Sequence, residues 1–148
     1  MTSGSGKRGA ALNMAGVTRA AEPVPAGRPE SRVNIIDKTD EEIWAAADPL
    51  WRDLLKNSNE GKYGDFVRSF AKSLALAMNE VVVSHQFANS DLARNLSSHF
   101  DHLGIIRRGE HVTVLYRQRS QKKPGEWLGR LVLGYEDEKI KIFGASIF

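Results

Sequence analysis

His111-Val112-Thr113-Val114-Leu115-Tyr116-Arg117-Gln118-Arg119 follows a period of two rather than the helical 3.6 and reads as a strand. Lys122-Lys123-Pro124-Gly125 follows. Its proline presets φ and its glycine accepts positive φ, so this stretch reads as a turn. Residues 126–135 then form a second strand with Trp127, Leu131, Leu133 and Tyr135 among its alternating positions. Glu136-Asp137-Glu138 turns the chain again, and residues 139–148 form a third strand. Three strands joined by short connections make a C-terminal three-stranded antiparallel meander.

Upstream the apolar period is helical. Thr39-Asp40-Glu41-Glu42 matches a capping box, and Ile43, Trp44, Ala47, Leu50, Trp51, Leu54 and Leu55 then recur on one face. Pro49 interrupts this run, which leaves a kinked helix and two short helices both open. Asn57-Ser58-Asn59-Glu60-Gly61 ends it. A second helix is expected from about Tyr63, burying Phe66, Val67, Phe70, Leu74 and Ala77. Residues 80–87, with three consecutive valines, read as either strand or helix. Ser90 or Asn89 is expected to cap a third helix through Leu92, Leu96, Phe100 and Leu103, closed by a left-handed Gly104. Helices first and strands afterwards define an α+β chain, with N-terminal helices packed on one face of a curved antiparallel sheet.

Residues 1–33 are rich in Gly, Ala, Ser, Pro and Arg and lack Phe, Trp, Tyr and Ile. Such a segment buries too little apolar surface to offset its ordering entropy, and reads as a disordered basic tail before a single domain over 34–148. Met14 is an alternative start. The tail holds five basic and two acidic residues, which accounts for the whole net charge of +3. Behind it the domain is neutral but polarised. Residues 34–101 carry seven basic and eleven acidic residues, and 102–148 carry nine and five. A neutral domain argues against nucleic acid, whose binding relies on counterion release by a basic surface. The absence of cysteine excludes disulfides, thiolate metal sites and cysteine nucleophiles. With no apolar run of signal-peptide or membrane-span length, a cytoplasmic address is expected.

Several constellations admit a chemical reading. His99-Phe100-Asp101-His102 offers two imidazoles at i,i+3 on the expected third helix, yet zinc demands three or four convergent ligands. A solvated helix face accounts for these residues, and no metal is expected. Arg117, Arg119 and Arg130 form a basic strip on the strands. They are candidates for an anion site, against a reading as a charge-protected edge. Trp44, Trp51, Phe66 and Phe70 have core spacing. Should that core open into a pocket, Tyr63, Asp65, Phe66, His85, Tyr116 and Trp127 are the candidates to line it. No phosphate-cradling loop or nucleophile elbow is present, and no cofactor is expected.

Four features together resemble the nuclear transport factor 2-like, or cystatin-like, superfamily. They are Trp44…Trp51-x-x-Leu54-Leu55 on the leading helix, the run from Glu60-Gly61-Lys62-Tyr63 to Phe70, a short helix ending at Leu103-Gly104, and the meander closing with Lys141-Ile142-Phe143-Gly144-Ala145-Ser146-Ile147-Phe148. The resemblance implies a cone-like sheet wrapped around a helix, an apolar cavity, and often a homodimer through the open sheet face. Such domains include isomerases, dehydratases, polyketide cyclases and transport adaptors, so the fold does not choose a function. The isomerases use an Asp base with Tyr and protonated Asp donors. Asp65, Asp101, Tyr63, Tyr116 and Tyr135 are present, but none aligns to those roles.

The leading functional expectation is therefore a non-catalytic small-ligand-binding or protein-interaction domain. It self-associates as a homodimer through a sheet whose Val112, Val114, Leu131, Leu133, Ile140 and Ile142 exceed what one helical layer covers. One alternative is a small-molecule isomerase or dehydratase with a cavity carboxylate or histidine, acting on an apolar ligand. Another is a nucleic-acid or acidic-partner module using the tail and the Arg117/Arg119 face.

Overall fold

A computed structural model describes residues 34–62, 65, 68–77 and 90–148, together with the backbone of 12–13. The chain enters through Asn34, whose side chain accepts from the Ile36 amide over a 3-10 turn, Ile35–Asp37. The expected capping box then forms. Thr39 Oγ1 accepts from the Glu42 amide at 3.1 Å, and the Thr39 amide donates to Glu42 Oε1 at 2.9 Å. That hydrogen bond holds the Glu42 carboxyl below its ordinary range.

Helix α1 (Asp40–Glu60) runs unbroken through Pro49 and closes on a left-handed Gly61 at φ 71°. Proline removes one helical hydrogen bond. Burial of Ile43, Ala47, Trp51, Leu54 and Leu55 on one stripe holds the helix together across that gap. The alternative of two short helices at Pro49 is thereby overturned.

Four long strands follow: β2 (Leu96–Arg108), β3 (His111–Ser120), β4 (Trp127–Glu136) and β5 (Lys139–Ile147). They form one antiparallel sheet in the order β5-β4-β3-β2, to which a two-residue strand β1 (Leu12–Asn13) adds at the β5 edge. The sheet is not closed. β3 buries every second residue, namely Val112, Val114, Tyr116 and Gln118, beneath α1. Leu131, Leu133, Ile142, Ala145 and Ile147 complete that inner layer.

The meander is longer by one strand than the sequence indicates. Residues 96–108 are strand β2, not the third helix, and Gly104 is absent from the positive-φ glycines 61, 109 and 125. The spacing of Leu96, Phe100 and Leu103 is helical, but the residues between them resist a helix. Ser97-Ser98 compete for backbone hydrogen bonds, and Gly104-Ile105-Ile106 combines maximal backbone entropy with β-branching. Pairing with β3 supplies the hydrogen bonds instead. The Ser90 hydroxyl accepts from the Ala93 amide, but the element that follows is a 3-10 turn, Leu92–Arg94, whose N-cap is Asp91.

The second expected helix is interrupted: Asp65 is helical, residues 68–71 are not, and helix α2 (Lys72–Ala77) follows, with Leu74 buried but Ala77 exposed. Phe70 lies in a parallel bridge to Ile142 of β5. The Ala71 amide donates to the Ile142 carbonyl, and the Ile142 amide donates to the Ser69 carbonyl, each at 2.8 Å. Tyr63, Phe66, Val67 and the ambiguous residues 80–87 lie outside the described residues, as does the tail apart from Leu12–Asn13. Among the described residues, no helix is long and apolar enough to cross a membrane.

Candidate functional site

Among the described residues the interior beneath α1 is closely packed. A void of about 10 Å³ remains between Trp51, Leu54, Leu55, Leu96 and Ile147, roughly the room for one water-sized sphere. Packing here is close enough that a Cβ at Gly129 would lie 2.5 Å from the Trp51 ring. The six residues expected to leave surplus apolar surface do not. Val112, Val114, Leu131, Leu133 and Ile142 are buried, and Ile140 packs half-buried against the same core.

Polar groups enter this core through one cluster. Trp51 Nε1 donates to Gln118 Oε1 at 3.0 Å, while Gln118 Nε2 donates to the carbonyls of Ser97 and Arg119. Beside it Tyr116 stacks on Trp51, and its hydroxyl donates to Asp48 Oδ1 at 2.9 Å. Burial, followed by the Asp48 charge, pushes the Tyr116 hydroxyl far above its ordinary value, so it remains a donor. The same carboxylate meets His102 Nε2 at 2.9 and 3.0 Å, and Trp44 lies flat on that imidazole with ring centroids 3.6 Å apart. A carboxylate accepts at both oxygens, so Asp48 ties α1 to β2 and β3 at once. Sequence reasoning missed this role. The available signal was an acid at the fourth position after Trp44 and three before Trp51, on the apolar stripe itself.

The other candidate residues scatter. Tyr116 and Trp127 share the inner face on neighbouring strands, Trp127 half-buried opposite Gln118. Asp65 is exposed and paired with Arg68 at 2.8 Å. Tyr63, Phe66 and His85 lie outside the described residues. Arg117 and Arg119 do converge on the outer face, but onto internal anions. Both reach Asp101 Oδ2, at 3.3 and 3.0 Å, and both reach Glu126. Hydrogen bonding from Arg119 holds the Asp101 carboxyl below its ordinary range. Arg130 Nε donates to Ser146 Oγ at 3.2 Å. His99 and His102 stand at opposite parity on a strand, so the i,i+3 pairing of a helix is lost.

Among the described residues, the outer edge of β2 is the one that stays largely uncovered. At its start the Asn59 side chain stands in for a strand: the Leu96 amide donates to Asn59 Oδ1 at 2.7 Å, and Asn59 Nδ2 donates to the Leu96 carbonyl at 2.8 Å. Beyond that point no strand among the described residues pairs with the edge. A register shift between His102 and Gly104 falls at Leu103, which is 47% exposed, and Ile106 is 46% exposed. No atom lies within 4 Å of where a Gly104 Cβ would stand. Arg107 is anchored, donating to the Ile36 and Lys38 carbonyls and to Asp40, whereas Arg108 is exposed beside it.

Fold and site thus define an α+β domain in which no strand among the described residues pairs with the outer edge of β2 beyond Leu96. Compared with family models, curated proteins and solved structures, the chain finds no match.

Proposed function

We propose that this chain is a non-catalytic interaction domain that self-associates by pairing the β2 edges of two copies. The observation that carries the reading is the contrast between a β5 edge covered by the chain's own backbone and a 13-residue β2 whose edge no strand among the described residues covers beyond Leu96. An unpaired row of amides and carbonyls is a template for another strand. A second copy suits it in three ways. Antiparallel self-pairing sets the Asp101 end of one β2 beside the Arg107-Arg108 end of the other. It gathers Leu103 and Ile106 of both copies around the two-fold axis. It also uses the open space beside Gly104 for close approach. The sheet-mediated homodimer expected from the sequence is thereby moved from the sheet face to its edge. Membership of the nuclear transport factor 2-like group belongs to the same proposal. It is supported by the order of helix before antiparallel sheet, though without the short helix at Leu103-Gly104.

Sedimentation equilibrium of the full chain tests this directly. The expected result is a species of twice 16.4 kDa at high micromolar concentration, reverting to a monomer in Ile106→Lys with an unchanged melting temperature. A wild-type monomer at that concentration would overturn it.

A second reading draws on the Asp48–His102 pair. A carboxylate that orients an imidazole is the supporting half of an acid–base dyad. An isomerase or dehydratase function would then depend on His102, and turnover of an apolar carbonyl compound that vanishes in His102→Gln is the test.

A further inference from the structure

An open cleft of about 280 Å³ lies between the C-terminal half of α1 and the start of β2, and nothing in the proposed edge pairing uses it. Its floor is apolar, made by Leu55 and Leu96, both buried. Its shape is fixed by three hydrogen bonds that two side chains make with one residue, Leu96. Besides the two bonds from Asn59, Gln121 Nε2 donates to the Leu96 carbonyl at 2.8 Å, so α1, β2 and the segment after β3 are fastened at the floor. Asn59 and Gln121 thus spend their amide groups on structure, and the groups left for an occupant stand at the rim.

Those groups are cationic. Arg52 and Lys56 stand four residues apart on α1, one turn along the same face. Arg52 is steadied by the Phe100 ring, with its guanidinium carbon 5.3 Å from the ring centroid. Lys56 is exposed and makes no ion pair among the described residues. Glu60 also lines the cleft, but Lys62 Nζ sits 3.1 Å from its carboxylate and offsets that charge. Ser98, on β2, adds a hydroxyl-bearing residue to the lining.

We propose that this cleft binds a small organic anion: an oxyanion group held between Arg52 and Lys56, on a short apolar body that lies over Leu55 and Leu96. Guanidinium and ammonium groups make charge-assisted hydrogen bonds to oxyanions, and a floor whose polar atoms are already bonded needs no rearrangement to receive the apolar part. The volume sits at the lower limit for small-molecule sites, which restricts the body to about a single ring.

Amide NMR titration of the full-length chain with phenyl phosphate, and separately with inorganic phosphate, tests the assignment. Phenyl phosphate is expected to give saturable shifts at Arg52, Lys56 and Ser98, with inorganic phosphate binding the same residues more weakly. Lys56→Glu, a change at an exposed position, is expected to weaken phenyl phosphate binding about tenfold or more, and Arg52→Gln to weaken it in the same direction. Shifts that do not saturate, shifts centred elsewhere, equal affinity for the two probes, or a Lys56→Glu spectrum that titrates like wild type would each overturn the proposal. None of these readouts depends on the association state of β2.

Discussion

The two edges of the sheet are finished by different means. At β5 the chain covers its own edge with backbone: Leu12–Asn13 pairs antiparallel opposite Ile147 and Ser146, and residues 69–71 bridge Ile142 in parallel. At β2 the covering seen among the described residues is done with side chains, by Asn59 at Leu96, Asp48 at His102, and Arg107 reaching back to the N-terminus of α1. Backbone pairing uses up an edge rung after rung, whereas these side chains hold the strand in place and occupy its edge only at the Leu96 rung. An edge strand can therefore be well anchored and still available.

Breaking the closed edge should cost most. Ala71 is fully buried against Val132 and Phe143, and its amide donates to β5. Ala71→Pro removes that donor and overfills the site, so denaturant unfolding should show a loss of about 3 kcal/mol. On the open side, Asp48→Ala leaves the buried Tyr116 hydroxyl without its acceptor and frees His102. A loss of about 2 kcal/mol is expected, with faster amide exchange in β2 than in β5. If exchange quickened equally at both edges, the anchoring role given to Asp48 would not stand.

A titration sharpens the same contrast. The Tyr116 hydroxyl is raised well above its unfolded value of about 10. Its contribution is therefore complete below pH 10 and declines as pH rises above that point, because only the unfolded chain then loses the proton. Alkaline stability should fall by up to about 1.4 kcal/mol per pH unit beyond pH 10 from this group. The slope contributed by Tyr116 should be missing in Tyr116→Phe. The smallest effect is expected at the hairpin on the closed side, where Asp137 and Glu138 both take positive φ, at 55° and 65°. Glu138→Gly relieves that conformation and should raise stability by about 0.5 kcal/mol while leaving association untouched.

Features that depend on neighbours in the chain were legible. The capping box at Thr39 needs four consecutive residues, and the alternation of β3 needs nine. Both formed as read. Strand β2 was misread because Leu96, Phe100 and Leu103 satisfy helical spacing, while the evidence against a helix lay in the residues between them. Asn59 and Leu96 are 37 residues apart, and Asp48 and Tyr116 are 68 apart. No local pattern announces such a partner, although an acid on an apolar stripe does announce that one must exist. Which edge is covered is likewise decided by where residues 12–13 and 69–71 come to rest. The cleft at Leu96 depends on three segments meeting, so its lining was beyond sequence periodicity altogether.

Asn59 has a further consequence for any strand that arrives at β2. Its amide occupies the donor and acceptor at Leu96 that an incoming chain would otherwise meet first. An added strand must stop short of that rung, which fixes how far it can slide and so which of its residues faces which. One side chain on a helix thereby serves as an end stop, turning a generic hydrogen-bonding edge into one with a single starting point.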